Sequence, residues 1–103
     1  MKKIYNKLVR DRPPEIIKAE GSEYKIKILS DEKFAVELLN KLKEETQELI
    51  EAKDNRPELI KEIGDVYEVI DAIIEYYNLD RREIIKIKKE RKVKRGGFEK
   101  RFF

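Results

Sequence analysis

Apolar residues recur through the middle of the chain at helical spacing. From Asp31 to about Lys53, Phe34, Ala35, Leu38, Leu42 and Leu49 share one stripe at about 100° per residue. Ser30 is a good N-cap for this helix, and Asp31 and Glu32 complement the dipole of its first turn. A second helix is predicted from near Pro57 to near Asn78. Leu59, Ile63, Val66, Ile70, Ile73 and Tyr77 form its main apolar stripe. Beside it runs a second line, Glu62, Asp65, Val69, Ala72 and Tyr76, acidic in its lower half and apolar above, which should face protein rather than water. Glu68, Asp71 and Glu75 lie opposite and read as solvated. Gly64 sits mid-helix at a cost of about 1 kcal/mol relative to Ala, for which close helix packing is one reason. Asp80 and Glu83 make a capping-box start to a third helix. Ile84, Ile85 and Ile87 provide its apolar contact, and it should end before Gly96-Gly97.

The first thirty residues are less regular. Pro13 and Pro14 can open a short helix through Ala19, with Gly21 as its stop. Tyr24-Lys25-Ile26-Lys27-Ile28 alternates with the period of a half-buried strand, which needs a partner because one strand is not stable alone. The pattern therefore predicts an all-α fold of one domain, residues 1–103. An N-terminal arm (1–30) with a minor β segment precedes an antiparallel helical hairpin (31–78), and a basic helix and tail (80–103) follow.

Charged residues make up 46% of the 103 and apolar ones 40%, so a single-chain core would be thin. With so broad an apolar arc on the second helix, this favours hairpins paired into an oligomeric helical bundle, a homodimer or homotetramer. No signal peptide or long apolar run occurs, which points to a cytoplasmic protein with no membrane partner. Cysteine and histidine are both absent, excluding thiolate nucleophiles, cysteine metal sites and Ser-His or Cys-His catalysis. Carboxylates, lysines, tyrosines or a metal must carry any chemistry. Residues 81–103 hold eleven Lys/Arg against three Glu, whereas residues 1–80 are net acidic. An acidic body with a basic tail can serve metal plus phosphate, nucleic acid, or only a solvated helix.

Two pairs of carboxylates stand out, Glu45 with Glu48 and Glu62 with Asp65, each at i, i+3 on one helix face. In a chain with 22 acidic residues either pair alone means little. Their placement says more. About Asn55 in the turn-like Asp54-Asn55-Arg56-Pro57, Glu48 mirrors Glu62 and Glu45 mirrors Asp65, so an antiparallel hairpin gathers all four. Glu45 also falls in the middle of an apolar stripe, where an unpaired charge is costly. Like charges so close call for a cation, and an all-oxygen cluster suits Mg²⁺ or Mn²⁺ best.

This arrangement resembles the all-α nucleoside triphosphate pyrophosphohydrolases, the MazG-like superfamily. YNKLVRDRPPEII, KLKEETQELIEA, KEIGDVYEVIDAI and the closing RGGFEKRFF are similar to the small phosphoribosyl-ATP pyrophosphohydrolase-like group. The resemblance covers nearly the whole chain except Gly21–Ser30, and all four acidic positions match. Pro13 stands where an aliphatic residue is expected, and Phe102-Phe103 replaces a more aliphatic end. The resemblance implies a metal-dependent cut between the α and β phosphates of a nucleotide substrate, giving a monophosphate and pyrophosphate. Glu45 or Glu48 would then orient or deprotonate the attacking water. Lys92, Lys94 and Arg95, with the glycine pair after them, are candidates for holding phosphates, as are Asn6, Lys7 and Arg10 in the arm. Two alternatives use the same residues otherwise. A non-catalytic regulatory protein would bind the nucleotide without turnover. A nucleic-acid-binding protein would use the basic segment, but that leaves Glu45 unexplained.

Overall fold

A computed structural model describes residues 7–12 and 26–103. Among the described residues there are three helices, α1 (Asp31–Glu51), α2 (Arg56–Tyr76) and α3 (Arg81–Arg95). The chain divides into two compact units, Met1–Ala72 and Ile73–Phe103. Among the described residues no helix is long and apolar enough to cross a membrane.

In the first unit, Ser30 caps α1 as its sequence predicts: its Oγ accepts from the Lys33 N–H at 3.5 Å. The helix ends in a tight turn in which the Ala52 N–H donates to the carbonyls of Glu48 and Leu49. Asn55 is more than the midpoint of a turn. Its side chain accepts from the Glu58 N–H at 3.2 Å and so caps α2, while Pro57 occupies the first turn, where a missing N–H costs nothing. Four residues therefore suffice to reverse the chain and lay α2 back along α1.

Leu38 and Val69 are the buried apolar residues among those described, and Glu45 and Glu62 are equally buried. The α1 stripe faces inward as predicted, with Phe34, Ala35, Leu42 and Leu49 half-buried around Leu38. On α2 the line Glu62, Asp65, Val69, Ala72, Tyr76 is buried or half-buried, as expected, and the main stripe is split: Leu59, Val66 and Ile73 are half-buried, whereas Ile63, Ile70 and Tyr77 are exposed. Ile60, Ile63, Tyr67 and Ile70 are left on the outside of α2. Gly64 is exposed too, and a Cβ there would meet nothing within 4 Å. Close packing within the chain thus does not account for it.

The strand expected at Tyr24–Ile28 does not form where the chain is described. Ile26, Lys27 and Ile28 have no regular structure, and both isoleucines are exposed; among the described residues there is no strand to pair with. Tyr24 and Lys25, the short helix from Pro13 to Ala19, the stop at Gly21 and Asn6 lie outside the described residues.

In the second unit, α2 closes with a left-handed Asn78 (φ 52°). The Leu79 N–H reaches the Ile74 carbonyl at 2.9 Å and the Asn78 N–H that of Glu75 at 3.1 Å, the paired bonds of a Schellman stop. Asp80 then caps α3 by accepting from the Arg82 N–H at 2.8 Å, rather than from Glu83 as a capping box would have it. The helix contains no buried residue, and Ile84, Ile85 and Ile87 are all exposed. It stops at Gly96, whose positive φ of 77° suits glycine.

Candidate metal centre

The α1 stripe delivers Glu45 to the interior because Leu38, Leu42 and Leu49 turn that face toward α2, and Glu62 arrives the same way from the inward row of α2. Ligand oxygens from Glu45, Glu62 and Asp65 lie within 4.8 Å of one another, and a second set of the same tightness joins Glu44, Glu45 and Glu48 on α1. Glu45 belongs to both. The hairpin thus gathers the four sequence-predicted carboxylates. Glu45 meets its mirror partner Asp65 and also Glu62, and the Glu48 charge acts on Glu62, its own mirror partner.

The electrostatics follow from this crowding. Burial, hydrogen bonding with the Glu45 carboxylate and the charges of Glu48, Asp65 and Glu45 push the Glu62 carboxyl up to about 7. Burial and the Glu45 carboxylate also raise Glu48. Glu45 Oε2 and Glu62 Oε2 are buried with no hydrogen-bond partner, a costly condition for carboxylate oxygens. Each carboxylate also has a lysine near its other oxygen. Glu45 Oε1 is 3.3 Å from Lys41 Nζ and Glu62 Oε1 is 4.0 Å from Lys61 Nζ.

Glu44 and Lys41 stand at the site and escape a search for carboxylate pairs. Glu44, beside Glu45, accepts from Lys7 Nζ at 2.6 Å and lies 3.4 Å from Lys41 Nζ. Burial works against its ionisation, but the Lys7 hydrogen bond and the Lys41 charge outweigh it and lower the Glu44 carboxyl. The signal was present: Lys41 stands three and four residues before Glu44 and Glu45, the spacing of helical ion pairs. From the arm, Arg10 Nη2 donates to Asp65 Oδ1 at 2.9 Å. Lys7 and Arg10 are therefore at the cluster. Lys92, Lys94 and Arg95 form the exposed last turn of α3 in the second unit, where their charges favour the carbonyl end of the helix dipole.

The described serine and threonine hydroxyls have structural work: Ser30 caps α1, and Thr46 Oγ1 donates to the Leu42 carbonyl at 2.6 Å. The donor set is all oxygen and acidic, and its buried oxygens lack partners, so the residues present fit a hard divalent cation. The chain matches no family model, no curated protein and no solved structure.

Proposed function

We propose that this protein is a Mg²⁺-dependent nucleoside triphosphate pyrophosphohydrolase. It would cut between the α and β phosphates and release a nucleoside monophosphate and pyrophosphate. The observation that carries the reading is the pair of buried, unpartnered oxygens on Glu45 and Glu62 in one cluster with Asp65. Glu45, Glu62 and Asp65 would hold Mg²⁺, or Mn²⁺ in its place, with Glu48 beside them. When bound, the cation supplies charge for the phosphate oxygens and makes water more acidic.

The rest falls to the chain itself. Glu48 is half-buried, and burial and the Glu45 carboxylate raise its affinity for a proton, so in its ionised form it suits the base that takes a proton from the attacking water. Glu45, pinned by Lys41 and shared between both carboxylate sets, serves as ligand and orients that water. Lys7 and Arg10 bring positive charge to the place where a triphosphate must sit.

A homodimer or homotetramer belongs to the same proposal. Ile60, Ile63, Tyr67 and Ile70 are exposed at 3-4-3 spacing, the seam of a helix that packs on another.

A nucleotide panel that includes non-standard bases, assayed for pyrophosphate with and without Mg²⁺, tests the activity. In ¹⁸O-labelled water the label should enter the monophosphate, because attack is at the α phosphorus. Orthophosphate as the primary product refutes the assignment. Nucleotide binding with no pyrophosphate would identify the regulatory alternative instead.

A further inference from the structure

Residues 7–12 reach both helices of the hairpin at the carboxylate cluster. Lys7 ties the arm to Glu44 on α1 and Arg10 ties it to Asp65 on α2, at 2.6 and 2.9 Å. Leu8 and Val9 between them are half-buried, so the two charges on either side of them engage α1 and α2 respectively. The two ties are not equivalent. Glu44 is held by Lys7 and Lys41 together and stands outside the interhelical set of Glu45, Glu62 and Asp65. Asp65 belongs to that set and takes Arg10 from the arm.

A guanidinium and a divalent cation at the same carboxylate repel each other, and both need its charge. The Arg10–Asp65 pair is also weakly held, with the two side chains 59% and 29% exposed, a setting in which ion pairs contribute little. We infer that Arg10 is an electrostatic latch. It neutralises Asp65 while the cluster holds no cation and is displaced when a divalent cation binds. The tie of Lys7 to Glu44 keeps the released guanidinium at the site, where its planar fork matches a phosphate. Arg10 is thus a positioning residue whose two partners, Asp65 and the substrate phosphates, are engaged in turn. The inference rests on the metal-centre reading of the same cluster.

The absence of cysteine makes the test direct. Asp11→Cys, at an exposed position next to Arg10, carries a single nitroxide spin label in the full-length protein. Its mobility is read by electron paramagnetic resonance as Mg²⁺ is added without nucleotide, and Mg²⁺ binding is read independently from the melting temperature. The label should become more mobile as Mg²⁺ binds. With Arg10→Ala added, it should be mobile from the start and indifferent to Mg²⁺. The same substitution should tighten Mg²⁺ binding by about three- to fivefold, the scale of one exposed ion pair removed from competition. A melting temperature that rises with Mg²⁺ while the label is unchanged or immobilised overturns the latch and leaves the metal centre standing. Unchanged Mg²⁺ affinity in Arg10→Ala does the same. If Mg²⁺ affects neither the label nor the melting temperature, the metal-centre reading fails and the latch with it.

Discussion

Glu62→Gln is the most informative perturbation, because it removes a charge from the cluster with little change of shape. In the metal-free protein the Glu62 carboxyl is raised from 4.5 to about 7. Below 4.5 folded and unfolded chains both carry the proton. Between 4.5 and 7 the folded chain keeps a proton that the unfolded chain has lost, so stability declines as pH rises through that window and levels off above it. Glu48 is raised as well and acts in the same direction. Glu44 is lowered, so its contribution is lost only on acidification below its ordinary value, outside the window. At about 1.4 kcal/mol per pH unit, the loss from Glu62 is on the order of 3 kcal/mol at full strength. Solvent screening around a cluster with half-exposed members reduces it to on the order of 2 kcal/mol. Glutamine cannot lose the proton at issue. Metal-free Glu62→Gln should match wild type near the acid end of the window and exceed it by about that amount at neutral pH. With Mg²⁺ the order reverses, because the cation binds ionised carboxylates and stabilises wild type increasingly as pH rises. Urea denaturation followed by circular dichroism, at fixed protein concentration across the window in chelator and in Mg²⁺, measures all four curves. An identical pH slope in both proteins, or equal Mg²⁺ stabilisation of both, refutes the reasoning.

Three further outcomes are expected. Asp65→Asn should lower Mg²⁺-dependent pyrophosphate release by orders of magnitude in a steady-state assay, since it removes a ligand charge at nearly constant shape; wild-type activity in that variant would sink the mechanism. Tyr67→Lys, on the exposed row of α2, should shift sedimentation toward monomer without loss of helix content, because a charge at the centre of a helix seam opposes its burial. Gly64→Ala should raise the stability of the isolated chain by about 0.5–1 kcal/mol in denaturant titration, since the added methyl meets nothing and glycine is a poor helix former.

Much of this architecture is legible in the sequence, and the exceptions share a cause. Ser30 and Asp80 cap helices because their side chains act within three residues, and local rules read such contacts well. Glu45 is conspicuous because a charge interrupts an otherwise apolar stripe. The inward face of α2 is harder. Its two adjacent rows both carry enough apolar residues to be buried, and periodicity does not say which one meets α1. The acidic row goes inward whole and the more apolar row is split, with Leu59, Val66 and Ile73 half-buried and Ile63, Ile70 and Tyr77 exposed, a division that depends on contacts beyond the helix itself. Glu44 is missed for a related reason, being a single acid among many. Arg10 is named from the sequence as a phosphate candidate, but its pairing with Asp65 becomes visible only in three dimensions.

The bareness of α3 has its own consequence. A fifteen-residue helix with no buried side chain has no packing to hold it, and isolated helices of that length are marginal in water. Its amide hydrogens should exchange with solvent far faster than those around Leu38 in α1, through openings that leave the hairpin intact. Protease cleavage within residues 81–95 would then track a local melting equilibrium rather than global unfolding. A polyanion or second chain laid along the helix would register as a slowing of that exchange, even where the circular dichroism spectrum hardly changes.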